Sequence, residues 1–143
     1  MRIADVLSSK GAAVATISPE TTVSQLLASL AALNIGAMVV VGPDGLAGIV
    51  SERDVVRKLH ERGGGLLGQP VSEIMTTVLA TCTPRDTVDH LVVLMTQNRV
   101  RHVPVLDDGR LAGIVSIGDV VKTRMKELET EQQHLQDYIT QGR

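Results

Sequence analysis

The feature that most constrains this chain is that it repeats itself. "GIVSERD" (48–54) returns as "GIVSIGD" (113–119), and the match extends upstream without a gap: Pro84 follows Pro19, Val88 follows Val23 and Leu91 follows Leu26, each by 65 positions. Two copies are too few for a solenoid, which needs about three stacked units, so they are expected to pack on each other as a pseudo-symmetric pair. Nearer the N-terminus the register slips. "IADVL" (3–7) resembles "VSEIM" (71–75) at an offset of 68, which leaves three extra residues in the first copy near Ser9, Lys10 and Gly11, expected in a loop.

Each copy reads in the same order. A short strand, "VATI" (14–17) or "LATC" (79–82), meets Ser18-Pro19 or Thr83-Pro84. A helix follows, with Val23, Leu26, Leu27 and Leu30, or Val88, Leu91, Val92 and Met95, on one face. Next come two strands, "AMVVV" and "LAGIV" or "HVPVL" and "LAGIV", joined by the turns Gly42-Pro43-Asp44-Gly45 and Asp107-Asp108-Gly109-Arg110. A second helix begins at Ser51 or Ser116. The unit is β-α-β-β-α, and the fold is α/β (α+β): one repeat over 1–65, a second over 66–125, and a helical tail over 126–143. "RGGG" (62–65) is expected to be a flexible joint between the copies.

Composition narrows the function. A hydrophobic content of 43% in 143 residues can build a core, but no apolar run approaches the roughly 18–20 residues of a membrane span. The N-terminus lacks the apolar segment of a signal peptide, so a cytoplasmic protein is expected. A net charge of −2 with no Trp or Phe argues against a nucleic-acid partner. The single cysteine, Cys82, is the repeat counterpart of Ile17 and reads as a buried thiol rather than a nucleophile. His60, His90, His102 and His134 have no metal-ligand spacing, and neither a phosphate loop nor a Ser/His/acid constellation is evident. No metal, no required cofactor and no catalysis are expected.

The segments "NIGAMVVVGPDGLAGIVSERD", "VSEIM" and "VRHVPVLDDGRLAGIVSIGD" resemble a tandem pair of cystathionine-β-synthase (CBS) domains, the regulatory module that binds adenosine nucleotides, over residues 1–123. Two readings of the shared Ser-x-x-Asp then compete. In the plainer one it is a capping box, with Ser accepting from a free backbone N–H and the acid reaching back. That reading prefers Glu or Gln as the acid and does not ask for Gly48 and Gly113. In the other, the helix N-terminus and the Ser hydroxyl receive a phosphate while the Asp accepts from both ribose hydroxyls. The resemblance assigns that role to Ser51 and Asp54, and to Ser116 and Asp119.

The resemblance further implies that each pocket borrows from both copies. Val100, Arg101 and His102 would complete the Asp54 pocket, and Ile35, Gly36 and Ala37 the Asp119 pocket. Arg101 can fork onto a phosphate and His102 adds a donor, whereas Gly36 and Ala37 offer only backbone and space. A phosphorylated adenosine is therefore expected at Asp54, with AMP first, ATP, ADP or NAD(H) also admissible, and S-adenosylmethionine as an alternative. Thr16 and Thr81 could line the base or simply suit a strand, and Arg53 could face phosphate or solvent. Met125, Leu128, Leu135 and Ile139 fall on a tail stripe, interrupted by Gln132, that could clasp a second chain or fold back on its own core. The expected protein is a homodimeric sensor read by an effector protein, with a ligand-free adaptor as the rival.

Overall fold

The computed structural model describes residues 1–11, 13–78 and 80–142. Its elements run α1 (Ile3–Lys10), β1 (Thr16–Ile17), α2 (Val23–Leu33), β2 (Ala37–Gly42), β3 (Gly45–Ser51), α3 (Glu52–Arg62), two 3-10 segments (Gly63–Gly68 and Val71–Glu73), α4 (Val88–Asn98), β4 (His102–Asp107), β5 (Arg110–Ser116) and α5 (Ile117–Gln141).

The repeat is visible in the backbone. Thr22 and Thr87 cap α2 and α4 by accepting from Gln25 and His90 N–H, and both helices end in a left-handed residue, Asn34 or Arg99. Val23, Leu26 and Leu30, and Val88, Leu91 and Met95, are buried. Leu27 and Val92 sit beside that stripe and are 36% and 38% exposed. The β2–β3 and β4–β5 hairpins are antiparallel, each with a register shift at the same place. Asp108 and Gly109 both have positive φ, the geometry of the tight turn whose twist suits a hairpin.

The leading strands are shorter than expected. Only Thr16 and Ile17 form β1, parallel to β2; in the second copy Cys82 makes a single parallel bridge to Val105, and Leu79 lies outside the described residues. "RGGG" is not a flexible joint. Arg62 ends α3, and the glycines begin a 3-10 segment held down by Leu66, whose side chain is fully buried.

The two cores do not follow the repeat boundaries at 65 and 66. Ile3, Val6 and Leu7 of α1 pack with Cys82, Leu91, Val103, Val115 and Val120 of the second copy. Leu66, Val71 and Ile74 pack with Leu26, Val40, Val50 and Val55 of the first. Backbone bonds fix the exchange: Ile3 N–H donates to Asp86 and Val88 N–H to Met1, while Val71 N–H donates to Thr21 and Val23 N–H to Gln69. Each leading segment thus belongs physically to the other copy, and the chain passes between the halves after Lys10 and again after Thr76.

That exchange explains the glycine of each "GIVS" strand. A β-carbon at Gly48 would stand 2.7 Å from the Thr76 carbonyl oxygen, and one at Gly113 would stand 2.6 Å from Leu7 Cδ2. At Gly48 the leading segment meets the strand with backbone, which leaves room for glycine alone, while at Gly113 it meets it with a leucine side chain that must give way to anything larger.

The three extra residues of the first copy also fall differently from the loop expected. Ser9 and Lys10 lengthen α1, which ends at Gly11 with φ 94°. α5 runs for 25 residues, about 37 Å; its Val120 packs into the second core, and residues 128–142 are exposed throughout. The described tail does not fold back; Arg143 lies outside the described residues.

Candidate ligand clefts between the two halves

Both Ser-x-x-Asp motifs form the capping box. Ser51 N–H donates to Asp54 Oδ2 at 2.8 Å, Ser51 Oγ to the same oxygen at 3.1 Å, and Asp54 N–H to Ser51 Oγ at 3.4 Å. Ser116 and Asp119 repeat this at 2.8, 3.0 and 3.2 Å. In each the cap uses Oδ2 and leaves Oδ1. Asp54 Oδ1 receives only a long 3.4 Å contact from Thr76 Oγ1. The plainer reading is therefore realised, and it leaves an acceptor over.

Asp54 opens into a cleft of about 350 Å³, within the range of small-molecule sites. One wall is Ile49, Ser51, Glu52, Arg53 and Arg57 of the first half; the other is Arg99, Val100, Arg101, His102 and Pro104 of the second; Thr76, Thr77, Val78 and Ala80 of the crossing segment close it. Ser51, Arg53, Asp54, Val100, Arg101 and His102 thus come together as the sequence suggested.

The surprise is the charge. Four arginines (Arg53, Arg57, Arg99 and Arg101) face two acids, Glu52 and Asp54, and among the described residues none of the four is ion-paired. Arg99 was missed in the sequence. It holds φ 54° where the first copy has Asn34 at 53°, a conformation that disfavours a branched or long L-residue by about 1–2 kcal/mol. Arginine in that place, where asparagine suffices for the turn, was the available signal. The crossing residues gave none, because nothing local says that the halves exchange segments.

The second cleft, about 530 Å³, is lined by Lys10, Ala13, Val14, Ala15, Leu33, Ile35, Gly36, Ala37, Val39, His102, Ile114 and Ser116. Ile35, Gly36, Ala37 and Ser116 meet here as expected, but Asp119 is covered: Lys10 Nζ donates to its Oδ2 at 2.7 Å and to the Ile114 carbonyl at 2.8 Å. Burial pushes the Asp119 carboxyl up, yet hydrogen bonds from Lys10 and Ser116 and the Lys10 charge outweigh it and hold it below the usual range.

Thr16 and Thr81 line neither cleft; both are exposed, because Ala15 and Ile17 take the inward side of the leading strand and Cys82 takes it in the second copy. His102 and Gly36 border both clefts. Burial lowers the His102 pKa, which favours the neutral ring at pH 7, a donor from one nitrogen only. Cys82 is buried and its thiol is pushed up to about 12 by burial and by Asp86, which fits an inert core thiol. Among the described residues no helix is long and apolar enough to cross a membrane.

Known proteins share this fold. The family model for the CBS domain matches twice, at residues 3–61 and 71–126. The CBS domain-containing protein CBSX3, mitochondrial, of Arabidopsis thaliana is 40% identical over 149 residues, covering 98% of this chain and 72% of its own length. The crystal structure of a CBS-domain containing protein from Agrobacterium tumefaciens superposes with a TM-score of 0.81 at 44% identity, over 86% of this chain and 92% of that one. The CBS domain pair of protein MJ0100, in complex with 5′-methylthioadenosine and S-adenosyl-L-methionine, superposes with a TM-score of 0.78 at 25% identity, over 89% and 98%. With both repeats matched and the fold shared, this chain belongs to the CBS domain family and carries two CBS domains as a pair.

Proposed function

We propose that the chain is a regulatory sensor that binds a phosphorylated adenosine, AMP foremost, in the Asp54 cleft, and that it catalyses no reaction on it. The observation that carries this is the combination, across one cleft, of an Asp54 oxygen with only a long hydroxyl contact and four arginines that are not ion-paired among the described residues. Asp54 Oδ1 would accept from the ribose hydroxyls, Ile49, Val78 and Val100 would sandwich the base, and the arginines would take the phosphate. The MJ0100 pair, whose ligands are adenosine derivatives, supports an adenosine-shaped cleft. The same comparison favours a second reading, S-adenosylmethionine, but its sulfonium would enter a cleft where four cations face two acids.

Calorimetric titration with AMP, adenosine and S-adenosylmethionine tests this. AMP should bind best, Asp54→Asn should abolish binding, and Arg101→Ala should weaken AMP by about tenfold to hundredfold while leaving adenosine little changed. Equal AMP affinity in Arg101→Ala overturns the phosphate assignment; no binding of any adenosine ligand favours the adaptor. We further propose that two chains pair through α5, whose Met125, Leu128, Leu135 and Ile139 are each more than half exposed, and that an effector protein in the cytoplasm reads the liganded pair. A monomer by light scattering overturns the pairing.

A further inference from the structure

The repeat gives a control inside one molecule. In the first half, Thr76 lies across the "GIVS" strand: its N–H donates to the Ile49 carbonyl at 2.8 Å and its hydroxyl approaches Asp54 at 3.4 Å. In the second half, one ammonium reaches the same strand carbonyl and the same acid, there through Oδ2, the oxygen that Ser116 also holds. Lys10 Nζ donates to the Ile114 carbonyl, the counterpart of Ile49, and to Asp119, the counterpart of Asp54. It arrives there because two of the three extra residues of the first copy, Ser9 and Lys10, extend α1 by about half a turn.

The consequences differ sharply. A weak hydroxyl contact at Asp54 gives way to a ribose at little loss. At Asp119 the incoming hydroxyls meet a carboxylate already bonded to a cation at 2.7 Å and one third exposed or less on both sides. We propose that Lys10 is a built-in occupant of the ribose end of the second cleft, so that the chain takes one adenosine nucleotide at Asp54 and holds the Asp119 cleft closed to a second. The inference rests on the ribose role of Asp54. A ligand entering at Asp119 finds Oδ2 held by Lys10 and Ser116 and must move the ammonium that lines this cleft to bring both ribose hydroxyls onto the carboxylate, which lowers its affinity by about tenfold to hundredfold.

The test is titration of AMP into the parent chain, Lys10→Met, Asp54→Asn and the double variant. Methionine keeps the stem and the helix propensity of α1 while removing the ammonium. The parent should bind one equivalent, Lys10→Met two, Asp54→Asn none and the double variant one. Two equivalents in the parent overturn the inference and leave the Asp54 reading standing, as does a single equivalent in Lys10→Met. No binding in parent or Lys10→Met overturns both. A second measurement needs no variant: under reductive methylation of the parent, Lys10 should be the slowest lysine to react, and labelling as fast as at Lys122 or Lys126 overturns the closure.

Discussion

Gly48→Ala isolates the close approach that joins the two halves. Its new methyl would meet the Thr76 carbonyl oxygen at 2.7 Å and Met75 Sδ and Cγ at 3.0 and 3.2 Å, whereas comfortable carbon contacts lie at about 3.5–4.0 Å. The carbonyl cannot swing away freely, because Ile49 N–H donates to it at 2.9 Å while Thr76 N–H returns a bond to Ile49 at 2.8 Å. Overpacking costs about 1–3 kcal/mol and weakening one of those bonds about 0.5–1.5, offset by about 0.4–1 from the stiffer unfolded chain. A net loss of about 0.5–4 kcal/mol, centred near 2, follows.

Gly113→Ala supplies the comparison. There the nearest atom is closer, Leu7 Cδ2 at 2.6 Å, but it is the end of a side chain that can change rotamer. The expected net loss is about 0–1 kcal/mol. Urea unfolding followed by circular dichroism measures both; fluorescence is uninformative, because the chain has no Trp and its one tyrosine, Tyr138, is exposed on the tail. If Gly113→Ala proves as damaging as Gly48→Ala, distance alone governs the loss and the argument from the pinned backbone is wrong.

Other changes have separable outcomes. Leu66→Ala should lose about 2–5 kcal/mol in the same assay, whereas Gly64→Ala, with open space around its β-carbon, should lose little; similar values would restore a flexible joint. Cys82, with its pKa pushed up to about 12, should resist iodoacetamide at pH 8 until the chain is unfolded in urea, and rapid labelling of the native protein would contradict its burial. His102 is lowered below its ordinary 6.5, so the unfolded chain takes up its proton first and stability should fall as pH drops below about 6.5 toward the folded value. Asp119 acts in a lower window: its stabilisation is present above its ordinary 3.8 and is lost as pH falls toward the depressed folded pKa. His102→Gln should flatten the upper slope and leave the lower one.

Much of the fold was legible because it is local and written twice. The Thr caps, the positions of α2 and α4, the two hairpins and the Ser-x-x-Asp boxes each depend on residues within a few positions of one another. Ser51, Asp54, Val100, Arg101 and His102 were also legible as one cleft, since the family resemblance supplies the cross-copy pairing. What failed was non-local. Leu66 pins "RGGG" only because the first core receives it, and Thr76 reaches Asp54 only because the leading segments are exchanged. Lys10 lay in a stretch whose slip in register was noticed, but a count of extra residues does not say whether they lengthen a loop or a helix. Here they lengthen a helix, and its last turn carries the cation to Asp119.

The exchange also limits how a ligand can act. Undoing the exchange, so that each sequence repeat kept its own leading segment, would draw Ile3, Val6 and Leu7 from one core and Leu66, Val71 and Ile74 from the other, all buried. At about 1.5–3 kcal/mol for each side chain, that loss equals the whole stability of an ordinary domain, about 5–15 kcal/mol. One nucleotide cannot supply it, because a ligand shifts an equilibrium only by its difference in affinity between the two states. A ligand at Asp54 therefore acts by a small rotation of one half against the other, felt by α3, by β4 and by the crossing segment that together line the cleft. Small-angle scattering should accordingly superimpose with and without AMP; a clear rise in radius of gyration would mean that the halves part along the crossing segments instead of rotating against each other.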